Sequence, residues 1–288
     1  MTNFLDVRAL SGGGDVSNQV QLKTGTSLSD YSDLSPQALA SFIHGQDVLI
    51  GTHGFNVNRA DGIEHLSYWE SLLELPDSSV FLGLLWPGDS ESLYALSYPV
   101  EPKNAMAAGN MIADFVNKYF ANAASISFVS HSLGARVILQ AISGVNRQVR
   151  RAILMAGAIG DDCLTAEFAA VPGKVDMISA LASKEDDVLR WAFPIGDFAA
   201  EILDHTHPWW ESALGRFGPT PIPAHFQPPD QIPAGWNYGH GNYLQDEPQA
   251  PGPIPPPIDV PEDGDPPLGG ADGWQEAFSA AFVSTRFR

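Results

Sequence analysis

Val129-Ser130-His131-Ser132-Leu133-Gly134-Ala135-Arg136 places two serines two positions apart, directly after the apolar run Ile126–Val129 and directly before an amphipathic segment, "RVILQAIS". A strand that turns at once into a helix around a serine is the setting of the pattern G-x-S-x-G. Its small outer residues let the chain bend sharply and leave the serine hydroxyl at the apex. Here the pattern reads Ser130-His131-Ser132-Leu133-Gly134, with serine in place of the first glycine. Ser132 therefore holds the nucleophile position, and Ser130 is the packing residue of the pair. A similar string, Ala9-Leu10-Ser11-Gly12-Gly13, is followed by glycines and polar residues and opens no helix. It reads as a hairpin turn.

Working outward, short apolar strands alternate with helices. "DVLIGTHG" is a buried strand running into a glycine loop, and "ADGIEHLSYWESLLEL" is a helix with Ile63, Leu66, Trp69, Leu72 and Leu73 on its apolar face. "SSVFLGLLWPG", "SISFVS", "VRRAILMAGAI" and "KVDMISALASKED" follow as strands, with helices at "NAMAAGNMIADFVNKYF" and "SLGARVILQAIS". Near-continuous apolar strands alternating with helices predict an α/β fold, a mostly parallel central sheet covered on both faces. At the N-terminus "FLDVRAL" and "NQVQLKTG" read as strands, and "SPQALASFIHG" as a helix capped by Ser35, opened by Pro36 and ended at Gly45.

After about residue 190 the alternation stops. Residues 191–238 are irregular and rich in proline and aromatics, a segment suited to a lid or cap, and residues 248–268 are proline-dense and extended. The chain thus divides into a body over 1–245 and a tail over 246–288. The tail closes with a helix whose Trp274, Phe278 and Phe282 share one face. That face docks on the body or on a neighbouring subunit, which would make a homo-oligomer.

A serine hydroxyl needs a base to take its proton, a group to orient that base, and N–H donors for the oxyanion. "SALASKEDDVL" is a strand ending in acids, where Asp186 and Asp187 compete. Asp186 is preferred, because Asp187-Val188-Leu189 reads as the first turn of the next helix, where an acid suits the dipole. Either acid would also serve as a cap. Downstream stand His205, His207, His225 and His240, and His240, between two glycines in "WNYGHGNYL", has the backbone freedom to reach over a sheet edge. For the oxyanion, the backbone N–H of Leu133 opens the helix, and that of Phe55 lies in the loop "GTHGFNVN". His53 in the same loop reads as a structural side chain, and "WPGDS", with Trp86 and Asp89, as a Pro-Gly turn rather than a lining of the site's mouth.

With "THGFN", "LLWPGDS", "SHSLGARVIL" and "SKEDDVL", the chain resembles the α/β-hydrolase superfamily, in a bacterial branch whose substrates are often unassigned. The resemblance spans roughly residues 45–190, with the His240 segment matching by position. It implies a serine hydrolase with a Ser132–Asp186–His240 triad, an oxyanion hole from Phe55 and Leu133, and no cofactor or metal. The expected activity is carboxylester hydrolysis. A thioesterase, acyltransferase or amidase would carry the same triad, and a non-catalytic binding protein is the rival class.

Composition narrows the partners. A formal charge of −19 disfavours nucleic acid and anionic membranes. The single cysteine, Cys163, excludes an intrachain disulfide or a cysteine-built metal site, and the His205/His207 pair lacks further ligands at a familiar spacing. "MTNFLDVRAL" has no secretory pattern, so a cytoplasmic location and a small-molecule ester are expected.

Overall fold

Val48, Leu49 and Ile50 of the strand Asp47–Thr52 are wholly buried, because this strand lies in the middle of a sheet with helices over it. The computed structural model describes residues 1–9, 15–89, 101–192, 212–228, 230–244 and 274–288. Among them the strands are β1 (Thr2–Arg8), β2 (Val16–Gly25), β3 (Ser32–Asp33), β4 (Asp47–Thr52), β5 (Ser79–Leu85), β6 (Ser125–His131), β7 (Val149–Met155), β8 (Val175–Ser183) and β9 (Asp230–Ile232). They form one sheet in the order β3-β2-β1-β5-β4-β6-β7-β8-β9. Pairing from β1 across to β9 is parallel, and β2 and β3 add an antiparallel edge.

The helices are α1 (Pro36–Ile43), α2 (Arg59–Leu72), α3 (Glu101–Tyr119), α4 (Gly134–Gly144) and α5 (Trp274–Phe287), with a single helical turn at Leu214–Phe217. The connection through α2 steps from β4 toward β1, whereas those through α3 and α4 step the other way. Parallel crossovers are right-handed, so α2 covers one face and α3 with α4 the other. Helix starts follow local chemistry. The Ser35 hydroxyl accepts the Ala38 N–H at 3.1 Å, and Asn58 Oδ1 accepts that of Asp61 at 3.0 Å.

The C-terminal helix docks on its own chain. Phe278, Phe282 and Phe287 are buried, and Phe278 meets Trp236 and Tyr238 edge-on. Ser284 Oγ accepts the Glu74 N–H at 2.9 Å, and Arg286 pairs with Asp230 at 2.6 Å. Only the backbone of Trp274 is described.

Part of the stretch read as a lid belongs to the body. Phe226 bridges to Ile178 of β8, and Asp230–Ile232 adds the parallel strand β9. These pieces are too short, and too crowded with proline, to show a strand period. The turn at 10–14, residues 193–211 with His205 and His207, and the proline-dense stretch lie outside the described residues. Among the described residues no helix is long and apolar enough to cross a membrane.

Candidate active site

β6 ends at His131, and Ser132 takes φ 54°, the left-handed conformation that reverses the chain into α4. Its neighbours hold that backbone on both sides. The Ser132 N–H donates to the Met155 carbonyl at 3.0 Å, and the Ser132 carbonyl accepts from Ala135 at 3.0 Å and Ala158 at 3.1 Å. Gly134 is needed because a Cβ there would stand 2.5 Å from the His53 carbonyl oxygen. Ser130, in the place of the motif's first glycine, is buried in the strand, and its hydroxyl has no hydrogen-bond partner among the described residues. The bend thus tolerates a serine there.

The structure brings Ser132, His240 and Asp186 into one hydrogen-bonded chain. The Ser132 hydroxyl lies 2.7 Å from His240 Nε2, and His240 Nδ1 lies 2.7 Å from Asp186 Oδ2. Asp186 stands just beyond the C-terminal end of β8 and is fully buried, while Asp187 is exposed. The other Asp186 oxygen accepts the Leu189 N–H at 2.9 Å. One carboxylate therefore both caps the turn at Val188–Ala192 and holds the imidazole. A buried carboxylate accepts only, so His240 carries its proton on Nδ1 and presents a bare Nε2 to the serine hydroxyl. His225 is exposed and meets neither group.

Leu133 is the first residue of the turn into α4, and no acceptor among the described residues takes its N–H. The loop carrying Phe55 is pressed against the serine, since a Cβ on Gly54 would stand 2.6 Å from that of Ser132. Several groups fix this loop. His53 Nδ1 donates to the Gly54 carbonyl at 2.9 Å, and the Trp86 indole donates to the His53 carbonyl at 3.0 Å while stacking on its ring. Asn56 donates to the Gly88 carbonyl at 2.7 Å. Burial lowers the His53 pKa to about 3, so the ring is neutral and structural, as its sequence setting predicts. Trp86 is wholly buried and braces the loop.

Two contributors escape sequence reading. Arg8, at the end of β1, donates to the carbonyls of Val57 at 3.1 Å and Trp86 at 2.8 Å, and pairs with Asp89. His131, next to the serine in sequence, places its ring centroid 4.9 Å from that of His240. Arg8 and Trp86 are 78 residues apart and His131 and His240 109, and no local pattern reports either contact.

A family model described as an alpha/beta hydrolase of unknown function matches residues 36–197, more than half of the chain. No curated protein matches the sequence. Among solved structures, similarity is found to carboxyl esterase 2 of the mycorrhizal fungus Tuber melanosporum, at 11% identity and a TM-score of 0.42 over 99% of this chain and 91% of that one. An esterase of Pyrobaculum calidifontis aligns at 12% identity and a TM-score of 0.37, covering 75% of each chain. Esterase PE8 aligns at 17% identity and a TM-score of 0.38, over 68% of this chain and 86% of that one.

Proposed function

Because the chain belongs to this α/β-hydrolase family of unknown function, we propose that it is a serine hydrolase acting on carboxylic esters of modest size, with Ser132 as nucleophile, His240 as base and Asp186 as the group that orients it. The observation that carries the reading is the unbroken hydrogen-bonded chain from the Ser132 hydroxyl through both nitrogens of His240 to a buried carboxylate.

In this reading His240 Nε2 takes the hydroxyl proton as Ser132 Oγ attacks the carbonyl carbon. The carbonyl π pair moves onto oxygen, and the N–H groups of Leu133 and Phe55 stabilise that charge together with the positive end of α4. Collapse of the intermediate breaks the bond to the alkoxy group, which leaves with the proton from His240. Water then enters, gives a proton to His240, and releases the acid as Ser132 regains its hydrogen. Asp186 holds Nδ1 and stabilises the imidazolium in each half. No step calls on a cofactor.

The test is hydrolysis of p-nitrophenyl butyrate by the native protein and by Ser132→Ala, His240→Ala and Asp186→Asn. The expected losses in kcat are about 10⁴-fold or more for each, the scale on which members of such a triad act. A Ser132→Ala protein as fast as the native one would overturn the reading.

A further inference from the structure

We propose that His131 is a positioning residue: its ring ties the main chain of His240 to the end of the elbow strand and so keeps the imidazole within reach of Ser132. The inference rests on the hydrolase reading above and adds a residue to it.

His131 is the last residue of β6, paired with Met155 in the sheet, and is itself buried. Its Nε2 lies 2.9 Å from the His240 carbonyl oxygen. A carbonyl only accepts, so His131 carries its proton on Nε2. The ring is seated between those of His240 and Tyr243, at 4.9 and 5.7 Å between centroids.

The turn at His240–Asn242 needs such a tie. Among the described residues, apart from the two bonds of the His240 imidazole, the remaining hydrogen bonds of residues 239–242 are local. Gly239 donates to the Asn237 carbonyl at 3.1 Å and to Asn242 Oδ1 at 2.7 Å, and Asn242 donates to the Gly239 carbonyl at 3.1 Å. With glycine on either side of His240, the turn has little stiffness of its own. The bond from the imidazole to Ser132 must break and re-form as protons move, whereas the bond from His131 to the main chain takes no part in the transfer. Tyr238 and Tyr243 anchor the two sides of the turn by burial, and the Ser279 hydroxyl donates to the Tyr243 carbonyl at 2.7 Å; the His131 bond fixes the main chain between them, at His240 itself.

The chemistry of the ring fits a donor that never titrates in the working range. Burial, and then the neighbouring His240, lower its pKa to about 3. His131 therefore neither competes as a base nor sets a second positive charge beside the imidazolium. It sits one residue from the nucleophile and belongs to the strand that carries it. Serine and base are thereby referenced to the same piece of sheet.

The experiment has two parts, both on the full chain. In the first, the side-chain nitrogen shifts of the native protein report the His131 tautomer. The Nε2–H form is expected, and an Nδ1–H form would remove the bond and overturn the inference whatever the kinetics. In the second, kcat and KM for p-nitrophenyl butyrate are compared across native, His131→Phe and His131→Gln. Phenylalanine keeps the ring and loses the donor, whereas glutamine keeps an N–H at similar reach. His131→Phe is expected to lose about 10- to 100-fold in kcat with KM little changed, the scale of a displacement near 1 Å. His131→Gln is expected to recover most of that loss. Equal rates for native and His131→Phe, or a glutamine variant as slow as the phenylalanine one, would overturn the positioning role. Failure of the hydrolase reading shows separately, as a native protein no faster than Ser132→Ala.

Discussion

At Ser132 the backbone stands at φ 54°, a conformation that costs a non-glycine residue about 1–3 kcal/mol. Met155 at the end of β7 offsets that cost by accepting the Ser132 N–H, and Ala135 of α4 and Ala158 after β7 by donating to its carbonyl, as expected where geometry rather than stability sets the backbone. What faces the serine must then be very small, and Gly54 is. A methyl group there would press on the Ser132 side chain at 2.6 Å, so one of the two segments must move. Gly54→Ala is expected to lower kcat for p-nitrophenyl butyrate by about 10- to 100-fold while the fold is retained. An alanine variant with native kcat would show that the loop does not govern the nucleophile's surroundings. The sharp turn at Ser132 was legible from its motif and its strand-to-helix setting. The choice of Asp186 over Asp187 rested on helix-start reasoning, and the structure adds that Asp186 both caps the turn and reaches the imidazole. The tie from His131 to His240 was not legible, because alternation along a strand says that a side chain is buried and not what it touches 109 residues away.

Elements show where period and length carry information. β4 to β8 were readable because each is a long apolar run bounded by turn residues, and a parallel sheet buries such runs on both faces. β3, with two residues, and β9, with three, are too short for a period to appear. The C-terminal helix was readable as an aromatic stripe, and its seat on the chain's own body follows from contacts the sequence does not encode locally. α5 also carries a conflict. Glu276 lies in its first turn, where the helix dipole favours an acid, yet it is buried, and among the described residues its carboxylate finds no partner outside its own residue. Burial wins and raises its pKa from 4.5 to about 7. The folded chain therefore binds a proton more tightly than the unfolded one, so this group's contribution to stability is greatest below pH 4.5 and is lost as pH rises through 7. Glu276→Gln, which removes the ionisation, is expected to raise Tm at pH 8 by at least about 2 °C, the shift that roughly 1 kcal/mol produces in a domain of this size. Near pH 4.5 the variant and native Tm should converge. An equal difference at both pH values, followed by circular dichroism, would contradict this account of the helix start.

Across the whole molecule, the site sits where the parallel strands end: β4 and β6 supply the Gly54 loop and Ser132, β8 leads to Asp186, and His240 arrives from the segment after β9. Arg8, at the same edge, clasps the loops after β4 and β5 through three partners. A parallel sheet gathers these segments at one edge because β1 and β4 to β9 all point the same way, which makes that edge the natural place for a site. The claim on which the account turns is that Ser132 is an activated nucleophile. It is tested most directly by treating native protein and His240→Ala with a fluorophosphonate and locating the adduct by mass spectrometry. One phosphonyl group per native chain is expected, on Ser132, and none on the His240→Ala protein over the same time. An unlabelled native chain, or an adduct on another residue, would contradict it.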